Sequence, residues 1–314
     1  MMAGCDAPSS EAGEAHPAVL AEDLTKSFGK VPAIRNLSFE VAPGSVFGLL
    51  GRNGAGKTTT LRLLLGLLAP DSGRSTVLGE DSLALSRETR RRIGYLSEET
   101  LVPQDLPLPY LLRYVSAFFD SWDWKRAEDL VRRFAVPADR PLEKMSAGER
   151  RKAELLLVLA QRPDLLVLDD PAVGLDVTVR REFLWGALEL AREEGKTVLF
   201  TSHVLTDVER IADTIGIMDR GAMRILAPLD ELKARTKRLV IPLPRGRDLA
   251  SVKVPGELTR SLEGSDLVVV TGEFGPEIEA DLAGEFGSLD VEDLNLEEIF
   301  CAVTGAPAGE EPPP

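Results

Sequence analysis

The feature that most constrains the fold is an eight-residue loop at residues 51–58, with the sequence G-R-N-G-A-G-K-T. It fits the pattern G-x-x-x-x-G-K-[S/T], it follows a short apolar run at residues 46–50, and it opens a helix-forming segment at residues 56–68. Such a run is typical of a strand buried on both faces of a parallel sheet. A loop of this pattern between a strand and a helix turns backbone N–H groups toward an anion, and it therefore predicts a site for phosphate groups.

Further apolar runs at residues 165–168 and 198–200 predict two more buried strands, and the segments 147–160 and 179–193 have helix-forming compositions. Strands and helices thus alternate along the chain. This order predicts an α/β fold with a parallel sheet core, and the loop at residues 51–58 is typical of the P-loop NTPase type of this fold. The longest apolar runs, at residues 63–69 and 155–160, are far shorter than the ~18 residues of a membrane span, so we expect none in this chain.

Composition divides the 314 residues into regions. Residues 1–17 and 306–314 are polar or proline-rich and are expected to be disordered. Residues 18–235 are expected to form the nucleotide-binding domain, with a helical subdomain at about residues 97–160. Residues 236–305, with β-like runs at 239–243 and 267–270 and a helix-like stretch at 294–303, are expected to form a small appended α+β domain.

An aromatic cluster marks residues 95–134, which hold eight aromatic side chains in a chain that is only 5% aromatic. One interpretation is a small helical core of its own. The other is that some of these side chains dock a partner, and the two roles are compatible.

The formal net charge of −14 is concentrated in the C-terminal part, where residues 235–314 hold 16 acidic and seven basic side chains. Nucleic-acid binding through phosphate contacts needs a positive face, so no nucleic-acid partner is expected. The two cysteines, Cys5 and Cys301, are too few for a disulfide framework and fit a reducing compartment. The N-terminal residues carry no pattern of a signal peptide or lipidation site.

The residue types of the phosphate loop have chemical reasons. Its glycines let N–H groups face an anion, Lys57 can reach the terminal phosphates of a nucleoside triphosphate, and the Thr58 hydroxyl can ligate Mg²⁺. The loop predicts that the chain binds such a nucleotide, but kinases, GTPases and ATPases all share it. The expected nucleotide-binding residues here are Gly51, Asn53, Gly54, Ala55, Gly56, Lys57, Thr58 and Thr59.

Two carboxylates, Asp169 and Asp170, directly follow the predicted strand at residues 165–168. Beside a phosphate loop, Asp169 is expected to hold Mg²⁺ and Asp170 to act as a general base toward the attacking water. Between the two motifs, Ser146 and Glu149 have the spacing of a capping box at a helix start. A helix N-terminus with Ser146 and Gly148 is also a second anion-binding surface, which could cover the γ-phosphate from the other side.

These motifs, followed by Gly-Leu-Asp at residues 174–176 and Thr-Ser-His at residues 201–203, resemble in order and spacing the ATP-binding subunit of ABC transporters over about residues 18–226. The resemblance implies an ATPase that uses ATP and Mg²⁺ and works as a head-to-tail dimer with a second copy of itself or with a related ATPase subunit. In this dimer the phosphate loop of one subunit closes on the signature of the other. By position, the signature is Ser146, Ala147, Gly148 and Glu149.

The resemblance also assigns roles to single residues. Phe28 looks like the aromatic that stacks on adenine, although its position also allows an ordinary core residue. Asp176 belongs to the loop that joins the two sites. His203 looks like the residue that contacts the γ-phosphate and positions the water, and the alternative for it is a surface residue at a strand end.

Three positions depart from the family pattern. The signature usually reads Leu-Ser-Gly-Gly-Gln, and only its Ser and second Gly are kept here. The glutamine that usually follows Gly-Tyr-x-Pro is replaced by Glu98, which takes its place as a catalytic and metal-site candidate, with Gln104 as the second candidate. Asp170 stands where the family usually has Glu.

The appended C-terminal region and its segment Asn-Leu-Glu-Glu-Ile-Phe at residues 295–300 are similar to ATPases of ABC-2-type exporters. The resemblance implies export through a separate membrane permease and a cytoplasmic location at the inner face of the membrane. Two alternatives remain: an ABC-type ATPase of translation or DNA maintenance, and a nucleotide switch that hydrolyses slowly. The substrate cannot be inferred from this chain.

Overall fold

The computed structural model describes residues 16–99, 102–202, 204–243 and 252–305. The expected disordered segments therefore lie almost entirely outside the described residues, and His203 lies outside them too. The strands are β1 Val19–Phe28, β2 Val31–Val41, β3 Val46–Gly51, β4 Ser72–Val77, β5 Glu80–Asp81, β6 Ile93–Leu96, β7 Leu165–Leu168, β8 Thr197–Ser202, β9 Thr214–Asp219, β10 Ala222–Pro228, β11 Lys237–Pro242, β12 Glu257–Glu263, β13 Asp266–Thr271 and β14 Asp290–Asp293. The helices are α1 Lys57–Leu64, α2 Arg87–Arg91, α3 Leu108–Ser116, α4 Trp124–Arg133, α5 Ala147–Leu159, α6 Val177–Glu193, α7 Leu205–Val208, α8 Leu229–Arg235, α9 Pro276–Phe286 and α10 Leu296–Thr304.

The central sheet has six strands in the order β10-β9-β3-β8-β7-β6, and all its pairs are parallel except that of β10 with β9. Strand β3 lies between β8 and β9, and every one of its residues is buried. The predicted α/β fold with a parallel core is confirmed. The loop after β3 thus emerges from the middle of the sheet at its carboxyl edge, where ligands bind in open α/β sheets.

A second sheet of four antiparallel strands, in the order β2-β1-β4-β5, was not predicted. Its inner residues, such as Leu24 and Leu37, share one core with Phe47 of β3 and Leu61 of α1. Irregular register between β1 and both of its neighbours interrupts the two-residue alternation, which explains why the sequence pattern did not reveal these strands.

The helices of the aromatic-rich region do not have a core of their own, which corrects that interpretation. Leu108 and Leu111 of α3 and Leu130 of α4 belong to one large cluster together with Leu156 of α5 and Phe183 of α6. The apolar faces of α3 and α4 therefore pack onto the same core that covers one face of the central sheet.

The C-terminal strands form a third sheet in the order β12-β13-β11-β14. Its inner face and α9 enclose a separate small core that includes Leu239, Val269 and Leu282. Helix α10 does not belong to this core, because Leu296 and Ile299 lie in the large cluster of the central sheet. Among the described residues, no helix has the length and apolarity needed to cross a membrane.

Candidate active site

The phosphate loop joins β3 to α1 and depends on two glycines in particular. Gly56, the N-cap of α1, has a φ of 104°, and a Cβ there would lie 2.7 Å from Ile34 Cδ1 and 2.8 Å from Ala33 O. Gly51 ends β3, and a Cβ there would lie 2.8 Å from Met218 O. Only glycine fits both positions, because side chains would collide with neighbouring backbone. The predicted loop is thus held against the β2 and β9 strands.

Lys57 is buried at the start of α1, and its Nζ donates to Gly51 O at 2.8 Å. Burial lowers the pKa of Lys57, although the carboxylates of Asp170, Asp169 and Glu98, in that order of effect, act against it. Since the hydroxyl of the neighbouring Thr58 donates to Asp169, the structure brings the predicted metal holder next to the phosphate loop, and the charges of Asp170 and Glu98 also act on Lys57.

Asp169 follows β7 and is almost completely buried. Its Oδ1 accepts hydrogen bonds from Thr58 Oγ1 at 3.0 Å and from Thr201 Oγ1 at 2.9 Å. Burial raises the pKa of Asp169, and these two bonds only partly offset that effect. In the part of the chain that the structure describes, its buried Oδ2 has no hydrogen-bond partner.

These groups fit a magnesium ion. Mg²⁺ prefers oxygen ligands, and the Thr58 hydroxyl and the Asp169 carboxylate lie in direct contact with each other. A buried carboxylate oxygen that lacks a partner is costly unless something positive or donating meets it. The donor set therefore suits the Thr58 and Asp169 roles that the sequence predicts.

Asp170 lies in the turn after β7, with a left-handed φ of 42°. Its N–H donates to Thr201 Oγ1 at 2.8 Å. Glu98 is exposed just beyond β6, the strand that pairs with β7. Gln104 instead lies near the turn before α5, where its carbonyl accepts from Glu143 N at 2.9 Å. Of these two candidates, Glu98 is a carboxylate whose charge acts on Lys57, and its assignment over Gln104 stays a prediction.

The signature segment begins α5. Ser146 is its exposed N-cap, its Oγ accepts from Glu149 N at 3.3 Å, and its own N–H donates to Glu149 Oε2 at 2.8 Å. This is the capping box that the sequence predicts. Gly148 has a packing reason as well, because a Cβ there would lie 2.7 Å from Val179 Cγ1 of α6. Ser146 and Ala147 are open to solvent and so to another molecule.

Two other predicted residues have defined places. Asp176 caps α6, since its Oδ1 accepts from Thr178 N at 3.1 Å and Val179 N at 3.0 Å. Phe28 ends β1 with 53% of its surface exposed, which excludes the core alternative and leaves its ring accessible for stacking. The Lys26 Nζ lies 6.0 Å from the centre of this ring.

No separate role was predicted for Thr201 and none for Arg151. Thr201 contacts Asp169 and Asp170, and Arg151 of α5 donates from Nε to Pro171 O at 2.7 Å. The sequence carries a signal for Thr201, because this polar residue directly follows the apolar run at residues 198–200. It therefore stands at the carboxyl end of the strand, where ligands bind. For Arg151 the sequence carries no such signal, because its place in a charged helical stretch is typical of an exposed residue, although the structure buries it.

Known proteins resemble this chain in sequence and in fold. The sequence profile described as ABC transporter matches residues 34–173. The chain is 33% identical over 294 residues to the Nod factor export ATP-binding protein I of Rhizobium sp. (strain N33), covering 90% of this chain and 95% of that protein. It is 35% identical to the protein of the same name from Ralstonia nicotianae over 210 residues, 65% of each chain.

A solved structure of the dimeric post-hydrolysis state of the ATP-binding cassette MJ0796, bound to ADP and Pi, has the same fold. Its TM-score is 0.61 at 20% identity, and the match covers 67% of this chain and 98% of that one. With a relative of more than 30% identity along nine tenths of its length, the chain belongs to the ABC transporter family as an ATP-binding subunit, an ATPase whose hydrolysis is coupled to transport.

Proposed function

We propose that this chain powers an exporter: two copies bind Mg-ATP between them, and a separately encoded membrane permease carries the substrate. The observation that carries the proposal is the division of the site. The phosphate loop, Asp169 and Asp170 lie together around Lys57, whereas the capped N-terminus of α5 at Ser146 is exposed to solvent. A second copy could supply this N-terminus to the phosphate of the first.

In this proposal the residues have separate tasks. The loop N–H groups and Lys57 bind the phosphates, and Thr58 and Asp169 hold Mg²⁺, which when bound neutralises charge that develops on the phosphates. Asp170 takes the proton of the attacking water, with Glu98 and His203 proposed to help place the water. Phe28 is proposed to stack on the adenine, and the segment from Gly174 to Asp176 to join the two sites.

Export and the dimer have support from the relatives. Two of the similar proteins are named Nod factor export proteins, and the similar cassette of known structure is a dimer with ADP and Pi. By the same reasoning we place the chain on the cytoplasmic side of a membrane, attached through its permease. Because Asp170 is shorter than the usual Glu of the family, a nucleotide switch with slow hydrolysis is the second candidate function.

The dimer test measures ATP hydrolysis as a function of protein concentration. A shared site requires two chains, so the rate is expected to rise more than linearly with concentration and Ser146→Arg to suppress hydrolysis while ATP still binds. Ser265→Arg is the matched control, because Ser265 is exposed in the turn between β12 and β13 and the change adds the same charge. A rate proportional to concentration in a monomeric protein would contradict the shared site.

An exposed aromatic face is the proposed contact with the permease. Tyr110, Tyr114 and Phe118 recur at four-residue spacing along α3 and its C-terminal end, all three are exposed, and the rings of Tyr114 and Phe118 lie 5.5 Å apart. Such spacing places side chains on one side of a helix. Tyr114→Ser is expected to reduce co-purification with a membrane subunit encoded beside the gene, and Leu262→Ser, an equally exposed site elsewhere, is not.

A further inference from the structure

The turn that carries Asp170 has an unfavourable backbone conformation. Asp170 has a φ of 42°, in the left-handed region that most side chains avoid, and it also precedes Pro171, which further restricts its backbone. Conformations of this kind persist only where the surrounding structure imposes them, and they concentrate at active sites.

One support comes from β8. Thr201 is completely buried, its Oγ1 accepts from Asp170 N at 2.8 Å, and it donates to Asp169 Oδ1 at 2.9 Å. A hydroxyl has one proton and two lone pairs, so it can make both bonds at once. Thr201 thus links the backbone of Asp170 to the carboxylate of Asp169 through a single buried oxygen atom.

The second support comes from α5. The Arg151 Nε donates to Pro171 O at 2.7 Å, and its Nη1 donates to Glu154 Oε2 at 2.9 Å. The side chains of both residues are at most one tenth exposed. A buried ion pair is costly to desolvate and adds little net stability, but it fixes the guanidinium in one orientation. Arg151 therefore holds the turn by a hydrogen bond to the carbonyl of Pro171, one residue beyond Asp170.

We propose that Thr201 and Arg151 are positioning residues that hold the Asp170–Pro171 turn from both sides and so aim the Asp170 carboxylate at the attacking water. This inference rests on the proposed role of Asp170 as the general base. A tightly held backbone matters more for Asp than for Glu, because the shorter side chain has less freedom to correct its own position. Ser146 caps the N-terminus of α5, which is proposed to face the partner's nucleotide. Through Arg151 the same helix also contacts the turn that carries this chain's proposed base.

The test compares hydroxyl and methyl at one buried position. Thr201→Val keeps the branched shape and removes both hydrogen bonds, and it is expected to lower kcat ~10- to 100-fold while KM for ATP changes less than ~3-fold, as for a base displaced by on the order of 1 Å. Thr201→Ser keeps the hydroxyl and is expected to recover most of the turnover. Equilibrium binding of a fluorescent ATP analogue with Mg²⁺ is expected to stay within ~3-fold of the parent for both variants.

Arg151 is tested in the same way, and this test decides the inference even if the Thr201→Val protein does not fold. Arg151→Met, similar in length and apolar, is expected to lower kcat with nucleotide affinity retained. In an Asp170→Asn background neither Thr201→Val nor Arg151→Met should lower the residual single-turnover rate further, because both act through Asp170.

Three results would overturn the inference: unchanged kcat in Thr201→Val and Arg151→Met, an equal further loss in the Asp170→Asn background, or parallel losses of kcat and nucleotide affinity. The proposed function fails differently. In that case the parent protein itself would lack ATP hydrolysis, or Asp170→Asn would hydrolyse at the parent rate.

Discussion

Changing Asp170 tests how a shorter carboxylate can serve as the base. Asp170→Asn keeps the size of the side chain and its tolerance of the left-handed φ of 42° but removes the basic oxygen. General-base catalysis contributes ~10²- to 10⁴-fold, so kcat is expected to fall at least ~100-fold. The melting temperature and ATP affinity are expected to stay as in the parent.

Asp170→Glu changes the reach instead. One additional carbon–carbon bond moves the carboxylate by about 1.5 Å. A longer side chain in the left-handed region costs roughly 1 kcal/mol more than Asp, which tolerates it better. For a chain of 314 residues that corresponds to a fall in melting temperature of roughly 1–2 °C. Turnover is expected to be kept or raised, because Glu is the usual residue of the family.

The assay is steady-state phosphate release under saturating Mg-ATP, together with thermal unfolding of the same samples. If Asp170→Asn releases phosphate as fast as the parent, Asp170 is not the base, and Glu98 or a water held without Asp170 must take its place. A loss of turnover in Asp170→Glu, with ATP affinity and stability retained, would also contradict the proposed role of Asp170.

Two further predictions concern stability. Burial raises the pKa of Glu209, but bonds from Lys233 and from Leu296 N outweigh it and hold the pKa below its usual value, so this stabilisation is present above pH 4.5 and is lost as the pH falls through the lowered pKa. Glu209→Gln is therefore expected to cost about 1 kcal/mol at pH 7, after allowance for solvent screening, and progressively less as the pH falls below 4.5, as chemical denaturation over this pH range would show. Gly94→Ala would place a Cβ 2.6 Å from Val158 Cγ1 and is expected to cost about 1–3 kcal/mol in the same assay, whereas Gly275→Ala, with no atom within 4 Å, should cost far less.

The parts of the site that follow chain order were predictable from sequence. The strand–loop–helix context of Lys57, the carboxylates at the end of β7 and the cap of Ser146 are local patterns, and the structure bears out their local geometry. The hydrogen bond from Arg151 to Pro171 was not predictable, because the two residues lie far apart in the chain and only the packing of α5 brings them together. The roles of Glu98, Phe28 and His203 remain predictions.

The fold shows the same division. Apolar runs revealed the parallel strands, since burial on both faces leaves a continuous signal. The antiparallel sheet was not predicted, because the pairing of β1 with both of its neighbours is irregular in register. The small C-terminal domain was expected to contain its last helix, yet Ile299 and Phe300 of α10 pack into the large core. The helical pattern located α10 but could not tell which of two apolar surfaces it would cover.

The central claim, that two copies share each ATP site, is tested most directly by mixing two inactive variants. In Ser146→Arg the signature is blocked, and in Asp170→Asn the base is missing, so each homodimer has two defective sites. A mixed dimer has one site with both defects and one intact site. After subunit exchange, an equal mixture is expected to recover about one quarter of the parent ATPase rate, by the symmetry of a two-fold dimer. If the mixture stays as inactive as its components although cross-linking shows that mixed dimers have formed, the shared site is contradicted.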